Sequence, residues 1–574
     1  VTSSVVVGAD ATLTIQPGVE VRVAPGLGIQ IGSDGFGGGT LVARGTSGAP
    51  IVFTSNVAAP DLPAPGDWSS ITLTSLATSA VLTAGGEYQS GSVLEHVIVE
   101  FAGSAGNNSG SVIAQESAPF FDSIEVRDSA APGLRVVGNT TDPVRVIDST
   151  FRRCDHNGSG GGLYINGGSG HLVAGCTFDD NDGGNGGGAF VVAPSSTVTD
   201  CTFTNNDAAN GGGLYINSTN GTVTDNTMTG NDASSGGGLY ALGLTNGLIE
   251  NNVIESNTAA TRGGVDVASG TGVTVSNNTI RFNEANSTIG GLYVAGTGAT
   301  INGNTIVGNA IVSGQADGGG LYVGSANATV TDNLVMDNVA TRNGGGIYAA
   351  SSGQTYTGNT VTDNTAQLGD GGGIFVAQGN GQYTGNSVMG NFAGNRGGGV
   401  FVNNGGANTS FTGNQVTDNE SVTNGGGFHW RAAGGSLAGD ADVYNVVANN
   451  VSSDASAIYY DVANGSDLDA TSVCWGMFDA GAISGSIHDF FDDASLGFVL
   501  FFPFIDDPAC SGTKTPCPAD VDGDQLVNFT DLLTVLSNFG PCPGGACDED
   551  VNGDGLVDFT DVLGVLSNWG ACAG

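Results

Sequence analysis

Between residues 160 and 429 one phrase returns eleven times at intervals of 25 to 29 residues: two or three glycines, an aliphatic residue, then usually an aromatic one. It reads Gly-Gly-Gly-Leu-Tyr ending at Tyr164, Tyr215, Tyr240 and Tyr322. Variants end at Phe190, Tyr293, Tyr348, Phe375 and Phe401, and degenerate copies end at Asp266 and His429. A second phrase alternates with it: Asn or Cys, any residue, an apolar residue, two more, then Asn. Its closing Asn falls at 181, 206, 231, 257, 283, 309, 338, 364, 391 and 419. Self-similarity at this period means that each unit buries its apolar face only against its neighbours.

The local pattern decides what is stacked. Short runs such as Leu163-Tyr164-Ile165 and Leu321-Tyr322-Val323 alternate at strand period. Three short strands and three turns per repeat make one coil of a parallel β-helix, so the fold class is an all-β solenoid. Glycine and Asn suit corners that need positive φ. An Asn recurring at one corner can bond its amide to the copies above and below. Such a ladder must be complete, because an unpaired buried polar group costs about 1–3 kcal/mol.

Composition removes several functions. Of 574 residues 99 are glycine, and 55 acidic residues face 13 basic ones, a net charge of −42. Twelve of the basic residues are arginine and the thirteenth is Lys514. No Lys/Arg cluster exists to neutralise phosphates, so nucleic acid is excluded. The acidic surface also repels anionic lipid headgroups. With 16 prolines and no strict glycine triplet, collagen is excluded. The apolar run Gly497 to Ile505 is interrupted by Pro503 and falls far short of the ~20 residues that span a bilayer. A start at Val1 reads as a processed chain.

These repeats resemble the right-handed parallel β-helix superfamily, the pectate-lyase-like proteins, and are similar to repeats of polymorphic outer-membrane proteins. Phe178-x-x-Asn181 and Phe203-x-x-Asn206 match that pattern literally; Gly-Gly-Gly replaces the usual Gly-Gly-Ala. Residues 11–74 look like opening coils of secreted bacterial β-helix proteins, and residues 474–504 resemble their closing segment. The reading is one domain over 1–510, with opening coils 1–150, repeats 151–430 and a closing segment 431–510. About 20 coils at ~4.8 Å per stacked strand give a rod near ~100 Å long.

The tail is different. Residues 517–574 are two copies of one unit offset by 30, joined to the rod by a linker at 511–519. Oxygen side chains stand at loop positions 1, 3, 5, 9 and 12, with a backbone carbonyl at 7, the spacing that wraps a chain around Ca²⁺. The first loop offers Asp520, Asp522, Asp524, the Leu526 carbonyl, Asn528 and Asp531; the second offers Asp550, Asn552, Asp554, the Leu556 carbonyl, Asp558 and Asp561. Gly555 makes the sharp turn easier in the second loop than Gln525 does in the first. Helical patterns follow at Phe529, Leu532, Leu533, Leu536, Phe539 and at Phe559, Val562, Leu563, Leu566, Trp569. A duplicated loop-then-helix over 520–574 resembles the dockerin module, which implies two calcium ions and attachment to a cohesin partner. Partner-reading positions of that family correspond to Phe529-Thr530 and Phe559-Thr560.

Nine cysteines suit a secreted chain. Cys517 with Cys542 and Cys547 with Cys572 would each bracket one loop-helix unit, other pairings remaining open. Cys474 and Cys510 could tie the closing segment. Cys176 and Cys201 share a column on adjacent coils, a spacing that fits disulfide geometry, and Cys154 reads as a small buried residue.

Two places could carry catalysis: Arg152, Arg153, Cys154, Asp155 and His156, with Asp179, Asp180 and Asp182 one coil on; and His429, Trp430 and Arg431 beside Asp440 and Asp442. Neither holds a lysine, His429 reads as a surface replacement in the aromatic column, and the surface charge opposes a polyanionic substrate. No catalytic residue is assigned. The Tyr/Phe column reads as an outward stripe, either stacked upon itself or open to a partner or glycan. The function expected is a non-catalytic secreted rod, joined through its calcium module to a protein partner or to other copies, with a fibre possible. The alternatives are a polysaccharide lyase or hydrolase, or a glycan-binding adhesin, carried by the same anchor.

Overall fold

Strand follows strand in register along the whole repeat region. The structure, a computed structural model, describes residues 1–57, 60–104, 109–139, 142–403, 405–439, 444–462, 466–477, 479–505, 510, 519, 521, 526–527, 529–542, 547, 550–552, 556–567 and 570–571. One coil comprises Ala189–Val192, Thr197–Thr199, Thr202–Thr204 and Asp207–Asn210, and the next begins at Leu214–Asn217. Leu214 pairs with Ala189 and Thr222 with Thr197, both in parallel. Stacking yields three long parallel sheets, here A, B and C, built on the first, second and third strands of each coil. Sheets A and B hold 18 strands each, and sheet C holds 27 because the segment after its Asn adds a further strand. Coils are fewer than the repeat spacing suggests because the opening region carries insertions, among them the antiparallel hairpin Val81–Leu82 with Tyr88–Ser90.

Inward positions form one continuous core, from Val7 to Val499. Each strand contributes its central or flanking residues according to the period of two: in Thr202–Thr204 only Phe203 is buried, and in Leu214–Asn217 Leu214 and Ile216 are. Rings stack inside as well. Phe151, Phe178 and Phe203 lie 5.2 and 4.7 Å apart in centroid, and Tyr356, Tyr383 and Phe411 lie 4.7 and 4.4 Å apart.

Two asparagine ladders, not one, run through the corners on either side of sheet C. The Asn283 side-chain amide donates to Asn309 Oδ1 at 3.0 Å and to the Ile254 carbonyl at 2.9 Å, while the Asn283 N–H reaches the same Asn309 oxygen at 3.0 Å. Asn309 repeats this with Asn338. The companion ladder runs through Asn226, Asn252, Asn278, Asn304 and on to Asn445 with the same geometry. All are buried, so each amide's full hydrogen-bonding capacity is met by adjacent coils.

Cys176 and Cys201 occupy the start of that second ladder and are not disulfide-bonded. Their thiols take the amide's place: the Cys176 N–H donates to Cys201 Sγ at 3.4 Å, and each thiol reaches the carbonyl two residues before it. Each sulfur is thus engaged with a backbone carbonyl. Cys154 heads the other ladder, where the Cys154 N–H donates to Asn181 Oδ1, and burial pushes its thiol up to about 12.

The glycine triplet does two jobs. In Gly371-Gly372-Gly373 only the first residue has positive φ, +68°. A Cβ on Gly373 would stand 2.7 Å from the Gly399 carbonyl oxygen, 2.8 Å from Val388 and 3.0 Å from the Asn391 amide. The third glycine is therefore required by the coil above it. Gly373→Ala should lower the guanidinium unfolding midpoint by an amount worth about 1–3 kcal/mol, the range for overpacking; an unchanged midpoint would contradict this packing.

Candidate functional site

The tail folds as one duplicated body. Leu526–Val527 pairs with Gly570–Ala571, and Gly540–Pro541 pairs with Leu556–Val557, so each repeat's loop strand is completed by the other repeat. Helices Phe529–Ser537 and Phe559–Ser567 cover a small core of Val527, Val535, Val557, Val562 and Val565. Asp531 and Asp561, the last ligands expected of the two loops, are fully buried. Asp531 Oδ1 accepts from the Val521 N–H at 2.7 Å, and Asp561 accepts from the Asn552 and Asp558 N–H groups at 3.1 and 2.8 Å. Asp520, Asp522, Asp524, Asn528 and Asp554 lie outside the described residues. Leu526 and Leu556 open short strands, and Asp550, Asn552 and Asp558 lie between the strands and helices. Among the described residues no three His, Cys, Asp or Glu side chains converge.

The helical stripes face the other way from a simple core reading. Phe529, Leu533 and Leu536 are 62%, 49% and 49% exposed, and Phe559, Leu563 and Leu566 are 65%, 51% and 48% exposed. The inward positions are Val535, Val562 and Val565, with Leu532 partly buried against them. Each repeat thus shows the same apolar stripe to solvent. Cysteine pairing also differs: Cys542 bonds Cys547, with Cα atoms 5.4 Å apart, so the expected Cys517–Cys542 and Cys547–Cys572 brackets do not form. Cys474–Cys510 is bonded as anticipated.

On the rod, the aromatic column is stacked rather than open. Tyr164, Phe190, Tyr215 and Tyr240 follow one another at 5.1, 4.8 and 5.2 Å. A second run from Tyr293 to His488 continues at 4.2–5.1 Å. Ring faces are consumed by one another, so sugars would meet only ring edges. The rings from Tyr164 to Tyr348 are half-buried on the outer side of sheet A, whereas Phe375, Phe401 and His429 are buried, which corrects the reading of an external stripe at those coils and of His429 as a surface replacement. Glycine turns pack closely beside the rings, Gly344 against Tyr348, Gly371 against Phe375 and Gly397 against Phe401.

Asp266 breaks the column. Its carboxylate is buried, bonded to Arg262 at 2.7 Å and to Ser235 at 2.8 Å. The Arg262 guanidinium lies 4.0 Å from the Tyr293 ring and stands in for the missing aromatic. Burial holds the Asp266 carboxyl above the usual carboxylate range.

The residues proposed as catalytic knots do not converge. Arg152 pairs with Glu125, Arg153 pairs with Asp128, and Cys154 points inward. Asp179 accepts from Thr204, and Asp180 occupies a corner at φ 56°. Asp155 and Asp182 instead begin an acidic row continuing through Asp207 and Asp232 on successive coils. Trp430 is buried with its indole N–H on the Ala432 carbonyl. Asp440 and Asp442 lie outside the described residues. His429 and Arg431 meet Asp461 instead, which sequence spacing could not reveal because Asp461 comes from the following coil: His429 Nε2 is 3.8 Å and Arg431 Nε 3.1 Å from Asp461 Oδ2. Burial lowers the His429 imidazole from its ordinary value, so it stays neutral. Among the described residues, at least ten arginines are ion-paired with the chain's own carboxylates.

The family model described as a right handed beta helix region matches residues 89–232, 161–335 and 291–452, more than half of the chain. The chain belongs to the right-handed beta helix family. No curated protein matches it. Among solved structures, this beta helix is similar to a mannuronic acid specific polysaccharide family 6 lyase from human gut microbiota. The identity is 14%, over 70% of this chain and 86% of that one, with a TM-score of 0.29. It is also similar to the Azotobacter vinelandii mannuronan C-5 epimerase AlgE6 A-module, at 14% over 74% and 89% with TM-score 0.28. A third likeness is to PfbA, a surface adhesin of Streptococcus pneumoniae, at 10% over 72% and 83% with TM-score 0.23. These likenesses are of fold alone.

The acidic row has a measurable consequence for the beta helix. Burial first, then Asp232, raises the Asp207 carboxyl. The folded chain then holds this proton more tightly than the unfolded chain, so the contribution opposes folding as pH rises through the carboxylate range and is absent below it. Asp207→Asn should stabilise at pH 7 by about 0.3 kcal/mol, since most of the effect is screened by solvent. The gain should vanish at pH 3 and shrink in 1 M salt; destabilisation at pH 7 would contradict it.

Proposed function

We propose that the protein is a non-catalytic extracellular rod, anchored by a dockerin-like calcium module to a protein partner or to further copies of itself. The observation that carries this reading is how the repeat spends its chemistry. Amides bond amides, rings stack on rings and arginines pair with carboxylates, nearly all along the axis. Side chains consumed in that way stiffen a spacer and leave little for a reaction. Two disulfides, Cys474–Cys510 and Cys542–Cys547, suit an oxidising exterior. No helix among the described residues is long and apolar enough to cross a membrane.

The anchoring half rests on the tail. Two calcium ions would be held by Asp520, Asp522, Asp524, the Leu526 carbonyl, Asn528 and Asp531, and by Asp550, Asn552, Asp554, the Leu556 carbonyl, Asp558 and Asp561. The buried Asp531 and Asp561 fit a cation, since each carboxylate is desolvated. Calcium would fix the loops and hold the exposed stripes Phe529-Leu533-Leu536 and Phe559-Leu563-Leu566 in place. A cohesin-like protein suits such stripes, and so does another copy, which would build a fibre.

A second reading, a carbohydrate-active or glycan-binding surface protein, is favoured by one observation. His429 is buried with neither ring nitrogen hydrogen-bonded, beside Arg431 and Asp461. Cleavage of polygalacturonate, alginate or a sulfated glycan that is lost in His429→Gln would establish that reading and overturn the non-catalytic one.

Calcium titration of the full chain tests the anchor. Two ions should bind, and Asp531→Ala and Asp561→Ala should each remove one while leaving the rod's β circular dichroism intact. Heat-free titration curves, or stoichiometry unchanged in both variants, would contradict it.

A further inference from the structure

One face of the rod is unlike the rest. On the outside of sheet B, six successive coils from Thr274 to Thr412 present two files of side chains. Eight of these twelve positions are threonine, the others are Ser276, Asn302, Gln382 and Ser410, and none is charged. A surface carrying a net charge of −42 elsewhere is here wholly neutral. The outward face of sheet C over the same coils mixes five threonines with Arg281, Val307, Leu334, Met336 and Met389, so the continuous hydroxyl files are particular to sheet B.

The array is also rigid. The register is kept without a shift, with Thr329 paired to Thr355 and Thr331 to Thr357, then Thr357 to Thr384 and Thr384 to Thr412. Neighbours along a file stand ~4.8 Å apart and the two files ~7 Å apart, as strand spacing and alternation require. Threonine is stiff at χ1. Beneath the array, Tyr356, Tyr383 and Phe411 are buried and stacked. Thr331 donates to Asn302 and Ser410 to Gln382. Among the described residues the hydroxyls of Thr329, Thr355, Thr357, Thr384 and Thr412 have no side-chain or backbone partner and are left to whatever covers the face.

A partner for this face must repeat in two directions, carry no charge and exchange hydrogen bonds with hydroxyls. An ionic mineral would be met by carboxylates, which this face lacks. A crystalline neutral polysaccharide is gripped best by exposed ring faces, and here every ring points inward. A single glycan chain would engage one file and leave the other idle. Alternating methyl and hydroxyl groups on a fixed grid order a sheet of water instead. We propose that the outer face of sheet B binds ice.

The test uses the purified full chain, fluorescently labelled, in a slowly grown ice ball and in a recrystallisation assay. The wild type should be taken into ice and should slow recrystallisation. The triple Thr331→Lys, Thr357→Lys, Thr384→Lys should be at least tenfold less active at an unchanged unfolding midpoint. A control triple on sheet C, Thr204→Lys, Thr362→Lys, Thr417→Lys, makes the same change of charge and should match the wild type. Should the first triple fail to fold, Thr357→Tyr alone, standing proud of the plane, should lose at least threefold. Exclusion of the wild type from ice overturns the proposal. So does equal loss in the control triple, full activity in Thr357→Tyr, or retention on microcrystalline cellulose without retention on ice.

Discussion

A primary amide buried in a protein interior must find four hydrogen-bond partners, and in this chain only another coil of the same shape can supply them. Asn309 receives two bonds at Oδ1 from Asn283 and gives its own amide protons to Asn338 and the Ile280 carbonyl. The rest of the rod follows from that constraint. Coils differ in length, yet Asn304 reaches Asn333 across 29 residues and Asn414 reaches Asn445 across 31 with amide bonds of 2.9 and 3.1 Å. Extra residues are therefore absorbed elsewhere in the coil, while the ladder corners hold register. In-register ladders in turn align the core rings, the outer aromatic column, the acidic row and the threonine files.

Much of this is legible in the sequence, because a constraint repeated every coil leaves a repeated residue. The paired Asn columns, the strand alternation and the glycine phrase all point to a parallel β-helix, and the structure places them so. What the glycines do was only half legible. Positive φ at Gly371 is a local need visible in a single turn, whereas the bare surface of Gly373 is demanded by a coil 26 residues further on.

The errors share a cause: alternation tells which side of a sheet a residue is on and not what later folds over that side. Phe375, Phe401 and His429 do point outward from the sheet, yet they are buried beside the glycine turns, with Tyr348 half-buried against them. Cys176 and Cys201 have suitable spacing for a disulfide, but the ladder rotamer aims both thiols at carbonyls. In the tail, two apolar stripes on one short helix are indistinguishable by period alone, and the stripe through Phe529 is the solvent one. The candidate sites fare accordingly. Asp461 joins His429 only through stacking of coils, and the first cluster disperses because its arginines are engaged along the axis with the coil before.

The ladder amides are coupled from coil to coil rather than merely buried side by side. A double-mutant cycle between Asn283 and Asn309, each replaced by Ala singly and together, measures that coupling in guanidinium unfolding. For directly hydrogen-bonded neighbours an interaction energy of about 1–2 kcal/mol is expected, the double mutant losing clearly less than the sum of the single losses. Strict additivity of the two losses would contradict it.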